Sequence, residues 1–347
     1  MDVPRRSIPR ILAILIPIIV FLALEALQIR LHRPADYDEH IFLDVGASIL
    51  QTGVPIRTYD FPRPAPFFDH TPLYVYVVAL LTSLGSDTLT LGRAVSLVCG
   101  LGTVVLVFLV ARDVRGTASG FVAALLLASS PFFAGFSWFL RMEVPLSFFL
   151  VLAFYALVHE RFLAAGLAIA VAVMLKEIAL AFWLVAVGFV LIRHGWRRAL
   201  LVGLPTVVAF VGWLAYAWTL SPNQFVGTMY RWLNSAGGDV QINDPRLRVS
   251  RLAWLKTIAV DIVGPLLLMG LAAAVALAVE RRQWLPPVVW IPIAYVVLAV
   301  GSSFVIRLKE PRYLIAVIPM AALTVGLLVD WGRLARSEPE PLSTPTT

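Results

Sequence analysis

The chain has 347 residues, of which 60% are hydrophobic and 14% charged, with a single cysteine and a mean hydropathy of +0.86. An ordinary soluble domain is about one quarter charged, so a water-soluble globule is excluded, and disorder, a disulfide scaffold and a collagen fail on hydropathy, cysteine count and glycine periodicity. The formal charge of +7 comes from cations that punctuate apolar runs, with no basic cluster interleaved with aromatics, so membrane topology and lipid headgroups account for it better than nucleic acid does.

A hydrocarbon core about 30 Å thick takes roughly 20 helical residues, and only helices or closed barrels satisfy their backbone groups there. The long apolar runs predict an all-α, polytopic integral membrane protein with about ten (10–12) transmembrane helices. Spans are expected at 11–29, 94–111, 117–139, 142–158, 162–178, 179–192, 199–220, 258–279, 284–306 and 313–329. The first follows Arg5, Arg6 and Arg10 and runs into Glu25 and Gln28 with no small-x-small cleavage site, so it reads as an uncleaved helix. Cys99 lies in an apolar run and reads as a small buried hydrophobe.

The apolar stretch 72–84 is too short to cross unless the polar stretch 85–90 is drawn in. If it stays at the interface, Arg112, Arg115, Arg161, Arg193, Arg197, Arg198, Arg281, Arg282, Arg333 and Arg336 all join the N-terminal arginines on the cytoplasmic side, as the positive-inside rule requires. A crossing there would turn every one of those loops outward. Both termini are then cytoplasmic, residues 1–336 form one transmembrane domain, and the Pro-rich tail 337–347 is disordered.

The same topology puts three polar segments on the outer face: 30–91, 221–257 and 307–312. The first carries an amphipathic helix at 39–50, stopped by Gly53 and Pro55 and lying flat on the membrane. The second, with Asn234, Gly237, Gly238 and Asp239, reads as a flexible loop able to close over a substrate.

Chemistry-bearing residues gather on this face. Asp38 and Glu39 open the first outer helix, where helix capping is one reading; their company, Asp36 and Asp44, gives an acid density unusual beside a membrane surface that repels anions. In PFFDHTPLY, Thr71 is placed to cap the next helix, which leaves Asp69 and His70 to bind a metal, a phosphate or a sugar hydroxyl. Arg141 and Glu143 stand at a span boundary, as snorkelling groups, an ion pair or site residues, and Lys176 with Glu177 marks a turn or a polar cavity. The segment RLKEPRYL packs Arg307, Lys309, Glu310, Arg312 and Tyr313 together on the side where short loops should be cation-poor, which points to an anionic partner such as a phosphate. Carboxylates and cations meeting at the membrane boundary suit a lipid-phosphate substrate: cations hold the phosphate while a carboxylate activates an incoming hydroxyl.

An acidic pair after the first helix, DHTPL opening a short helix, Arg93 after a Gly-containing turn, RMEVPL, a Lys ending the fifth helix and a late PRYL together resemble the GT-C glycosyltransferases. The nearest branches are the dolichyl-phosphate-mannose protein mannosyltransferases and the lipid A aminoarabinose transferases. The resemblance covers roughly residues 30–180 and, more thinly, the PRYL region. It implies a transferase that moves a hexosyl or pentosyl group from a polyprenyl-phosphate-linked donor to an acceptor hydroxyl, with inversion, at the outer face of a prokaryotic plasma membrane. Asp38 would be the catalytic base, Glu39 its support, Glu143 a second acid near the acceptor or an ion, and Asp69 the counterpart of a glutamate in the aminoarabinose branch. That branch has Lys-Pro-Pro after the glutamate where this chain has His70, Thr71 and Pro72, so Arg141, Lys309 or Arg312, with Tyr313 and His70, would supply the phosphate contacts. No cofactor is required; a divalent metal ion held by Asp69 and His70 is optional. The expected partners are the lipid-linked donor, membrane lipids, and a protein, lipid or glycan acceptor. The competing readings are a transporter of lipid-linked saccharides, which would show inverted repeats and broken helices at the midplane, and a non-catalytic membrane subunit, which would tolerate loss of Asp38.

Overall fold

The computed structural model describes residues 9–30, 34–60, 63–85, 87–237, 251–280, 286–305 and 311–328. In chain order the elements are α1 (Arg10–Arg30), α2 (Tyr37–Thr52), the strands β1 (Ile56–Arg57) and β2 (Ala65–Pro66), α3 (Leu73–Ser83), α4 (Thr88–Arg115), α5 (Thr117–Ala128), α6 (Pro131–Ser137), α7 (Glu143–Val158), α8 (Phe162–Leu175), α9 (Leu180–His194), α10 (Trp196–Leu220), α11 (Pro222–Gly237), α12 (Arg251–Lys256), α13 (Pro265–Glu280), α14 (Trp290–Val305) and α15 (Val317–Leu328). Short 3-10 turns precede α9, α14 and α15, and a π-helical turn, Thr257–Val263, follows α12.

Among the described residues, six helices are long and apolar enough to cross a membrane alone, and up to eight spans result if each bent pair counts as one, against the ten expected. The difference lies in α7 and α8, of 16 and 14 residues, which at about 1.5 Å per residue reach only about 24 and 21 Å. The expected span 117–139 is broken by 67° between α5 and α6. Ser130 accepts the Phe133 amide and Pro131 takes the first helical position, so the sequence starts a new helix there. The expected span 258–279 bends by 94° at Gly264.

The bundle core is built on α15, every residue of which is buried, packed against α4, α5, α13 and α14. Around it, α4, α7, α8 and α10 pack in succession. The turns holding Arg112, Arg115, Arg161 and Arg193 lie at one end, and the segment 34–85 covers the other, where α4 begins.

That cap is built by local rules. Asp36 accepts the Glu39 amide while the Glu39 carboxylate accepts the Asp36 amide, a capping box that fixes where α2 starts. Gly53, left-handed at φ 75°, ends it. The face of Ile41, Phe42, Val45 and Ile49 then meets Tyr74, Val75, Val78 and Ala79 of α3, each such residue contributing about 1.5–3 kcal/mol on burial. Gly46 allows this approach, since a Cβ there would lie 2.8 Å from Val78.

Between α2 and α3, β1 and β2 form an antiparallel pair with Ile56 opposite Pro66 and Arg57 opposite Ala65. Two expectations are corrected here. Thr71 does not cap α3: Pro72 holds that position with no side-chain cap, and the Thr71 hydroxyl donates instead to Val173 O at 2.8 Å. Val173 lies in the last turn of α8, whose carbonyls have no helical partner, so the hydroxyl fills that need. The segment 221–257 opens not as a loop but as helix α11, started by Pro222 and containing Asn234 and Gly237. Gly238, Asp239 and the tail 337–347 lie outside the described residues.

Candidate active site

The N-cap and first turn of α2 send Glu39 to Arg93 and both Asp36 and Asp38 to Arg141. Glu39 is fully buried. Its Oε1 accepts from Arg93 Nε at 2.9 Å and Leu140 N at 2.6 Å, and its Oε2 accepts from Arg93 Nη2 at 2.8 Å and Asp36 N at 3.0 Å. Every lone-pair direction is used, and the arrangement ties α2 to α4 and to the turn between α6 and α7. Asp36 accepts Arg141 Nε at 3.0 Å and a second, shorter bond from Nη2. Asp38 keeps access to the outside, with 18% of its side chain exposed; Arg141 Nη1 lies 3.3 Å from its Oδ2, which also pairs with Arg312 Nη1. The Arg141 guanidinium is further held against the Phe136 and Phe139 rings at 5.5 and 5.6 Å.

Behind this cluster lies a second. Lys176 ends α8 and is only 2% exposed; its ammonium donates to Glu143 Oε1 at 2.7 Å and sits 4.6 Å from the centre of the Tyr313 ring. Glu143 Oε2 is buried with no hydrogen-bond partner among the described residues. Arg312 and Tyr313 are neighbours in the 3-10 turn before α15, so that turn touches both clusters at once, Arg312 facing Asp38 and Tyr313 facing Lys176.

Asp69 and His70, adjacent in sequence, diverge. Asp69 Oδ2 pairs with Arg57 Nη1 at 3.2 Å, whereas His70 Nδ1 lies 3.4 Å from Glu177 Oε1. Among the described residues no group of three or more His, Cys, Asp or Glu is placed to hold a metal ion. With their side chains on different partners, the two residues do not fit a shared metal. Lys309, with Arg307 and Glu310, lies outside the described residues.

Two features escaped the sequence reading. Asp44, counted there only as part of an acid cluster, pins the following loop: it accepts Thr58 N at 2.6 Å, Tyr59 N at 2.9 Å and the Thr58 hydroxyl. Arg57 was not singled out, yet it bridges Asp69, the Tyr37 hydroxyl at 2.9 Å and Tyr59 O at 3.2 Å. The test that drew attention to Arg312, a cation on the side where cations are scarce, applies to it equally. Tyr37 in turn donates to Asp60 at 2.8 Å, and partial burial together with that bond raises its phenol above the ordinary value.

The bundle and its capped end define a class. This is a multi-pass integral membrane protein with the fold of the GT-C glycosyltransferase superfamily. A family model described as dolichyl-phosphate-mannose-protein mannosyltransferase matches residues 69–221. Among solved structures, ArnT from Cupriavidus metallidurans bound to undecaprenyl phosphate superposes with a TM-score of 0.67 at 18% identity, covering 92% of this chain and 61% of that one. Its apo form gives 0.68 at 19% identity with the same coverage. AglB from Archaeoglobus fulgidus, in complex with an inhibitory peptide and a dolichol-phosphate, gives 0.56 at 12% identity, covering 92% of this chain and 50% of that one. The chain thus spans less than two thirds of the length of these structures. No curated protein matches the sequence significantly.

Proposed function

We propose that the chain is a membrane glycosyltransferase that moves a sugar from a polyprenyl-phosphate-linked donor to an acceptor hydroxyl, with inversion, at the outer face of a prokaryotic plasma membrane. The observation that carries this reading is Asp38: a partly exposed carboxylate at one end of the bundle, set between arginines from two distant parts of the chain. An acid so placed, with cations that can leave it for a stronger anion, meets both needs of the reaction.

The donor phosphate, a diester with one negative charge, competes with Asp38 for Arg141 and Arg312, and its hold on the guanidinium groups grows as a second charge develops on the leaving phosphate. As the arginines turn to it, Asp38 is released to accept a proton. The acceptor oxygen bonds to the anomeric carbon from the face opposite the phosphate, the bond from that carbon to the phosphate oxygen breaks, and the acceptor proton passes to Asp38. Polyprenyl phosphate departs with the negative charge, which the guanidinium groups stabilise. Tyr313 and His70 border the phosphate, and Lys309 joins them on the evidence of sequence. Glu39 positions Asp38 by locking the first turn of α2, and Glu143 supplies a second acid whose spare oxygen can take a substrate hydroxyl. The outward orientation is supported by the opposite end, where Arg112, Arg115, Arg161 and Arg193 gather as cytoplasmic loops do.

The test is to offer the purified protein in lipid a panel of undecaprenyl-phosphate and dolichyl-phosphate sugars with peptide, lipid and glycan acceptors, and to follow free polyprenyl phosphate. Release from at least one donor is expected. No release from any donor, with no binding of undecaprenyl phosphate, would refute the reading.

A further inference from the structure

The end of the bundle covered by α2 and α3 also holds a cavity that the reaction above does not use. It has a volume of about 320 Å³ and opens between the β1–β2 segment and α11, with Arg57, Phe67, Asp69, Gln224, Gly227 and Thr228 in its wall. That volume is at the lower end of the range for small-ligand sites, roughly 300–1,000 Å³.

Its construction is specific. Residues 65–68 run extended, so successive side chains point to opposite sides. Phe67 packs with Phe42 of α2, while Phe68 meets Phe225 of α11 edge-on with ring centres 5.7 Å apart. Phe225 is also held by Trp213 of α10 at 6.1 Å. The α11 wall is therefore anchored to the bundle through one aromatic cluster, and Gln224 and Thr228, one turn apart, are both brought to the cavity.

The chemistry of the wall distinguishes it from the phosphate site. Its ionisable groups are Arg57 and Asp69, paired at 3.2 Å, so the wall carries no net charge. A phosphate would find a carboxylate beside the cation that the described wall residues provide. A neutral ligand rich in hydroxyls would find a half-exposed carboxylate to accept from it, a guanidinium to donate to it, an amide and a hydroxyl that do both, and an apolar ring along one side. Position completes the argument: Arg57 bonds both Asp69 in this wall and the hydroxyl of Tyr37, the residue next to Asp38. The cavity wall is thereby tied through Arg57 to the same first turn of α2 that carries Asp38.

We infer that this cavity is the acceptor subsite and that it takes an uncharged saccharide, so that the acceptor is a glycan or a glycosylated molecule. As an acceptor site it rests on the transferase reading; as a saccharide site it does not.

Gly227 offers a clean probe. It lines the cavity, and a Cβ there would meet nothing within 4 Å, so Gly227→Trp can put an indole at this wall with no clash at its Cβ, and helix propensity favours the change. Saturation-transfer NMR on the protein in nanodiscs would use methyl α-mannoside, methyl β-glucoside, methyl α-galactoside and methyl N-acetyl-β-glucosaminide as probes, with inorganic phosphate as competitor. At least one glycoside is expected to bind saturably, phosphate to leave it in place, and Gly227→Trp to abolish the signal while melting as the wild type does. Gln224→Ala should weaken binding about five- to tenfold, the loss of one hydrogen bond in a binding site. The inference falls if no glycoside binds saturably, if Gly227→Trp binds like the wild type, or if phosphate displaces the sugar. Glycoside binding that Gly227→Trp abolishes, together with failure of every donor to turn over, would uphold the saccharide site and remove the transferase reading instead.

Discussion

Replacing Glu39 by Gln keeps the shape of the side chain and removes its charge, which separates a positioning role from a chemical one. Glu39 is fully buried and accepts four hydrogen bonds, two of them from Arg93, itself 7% exposed. The amide nitrogen of Gln donates where one carboxylate oxygen accepts, so at least one of the four donors loses its acceptor, and the Arg93 charge is left without its counterion. Breaking a buried pair from one side costs about 3–5 kcal/mol, a large share of the roughly 5–15 kcal/mol that holds a typical protein folded. The thermal unfolding midpoint in detergent should fall by several degrees, and Glu39→Gln with Arg93→Met should cost less than the sum of the two single changes, since the double variant leaves no uncompensated charge. Turnover per folded molecule should fall only as far as Asp38 is displaced. A Glu39→Gln protein that melts like the wild type yet has lost turnover would refute this reasoning and return Glu39 to the chemistry.

Arg312→Ala should weaken undecaprenyl phosphate binding by roughly tenfold or more, the value of a hydrogen bond to a charged group; unchanged binding, read by ligand-induced thermal shift, would place the phosphate elsewhere. Glu25 in α1 is 1% exposed, and neither carboxylate oxygen has a hydrogen-bond partner among the described residues, so Glu25→Leu should raise the unfolding midpoint by the equivalent of about 1–3 kcal/mol, and a lower midpoint would count against that assignment. A cysteine at exposed Arg63, in the segment between β1 and β2, should react with an impermeant maleimide added to intact cells, while labelling only after permeabilisation would reverse the orientation.

The spans were legible because apolar runs of about 20 residues have few other uses, and the breaks at Ser130–Pro131 and Gly264 were not, because hydropathy does not register a bend. The start of α2 is legible in the D-x-x-E spacing of Asp36 and Glu39, although the expectation of capping falls on Asp38 and Glu39 and the structure gives the cap to Asp36. What local sequence does not contain is the pairing. Glu39 with Arg93, Asp38 with Arg312 and Glu143 with Lys176 are joined by the packing of α2, α4, α7, α8 and the turn before α15, so burial separates the locked acid from the accessible one only once the bundle has formed. Asp69 and His70 illustrate the opposite error. They are adjacent in a bend, yet Asp69 pairs with Arg57 and His70 lies against Glu177, so proximity in sequence does not bring them to one ligand.

The central claim is that Asp38 is the base of a transfer reaction. Asp38→Asn, which preserves size and leaves Glu39 and Arg93 untouched, should be compared with the wild type for release of polyprenyl phosphate from the donor that the wild type accepts. The account predicts a fall of about 10²–10⁴-fold, typical for loss of a general base, at an unchanged unfolding midpoint. Turnover close to that of the wild type would contradict it.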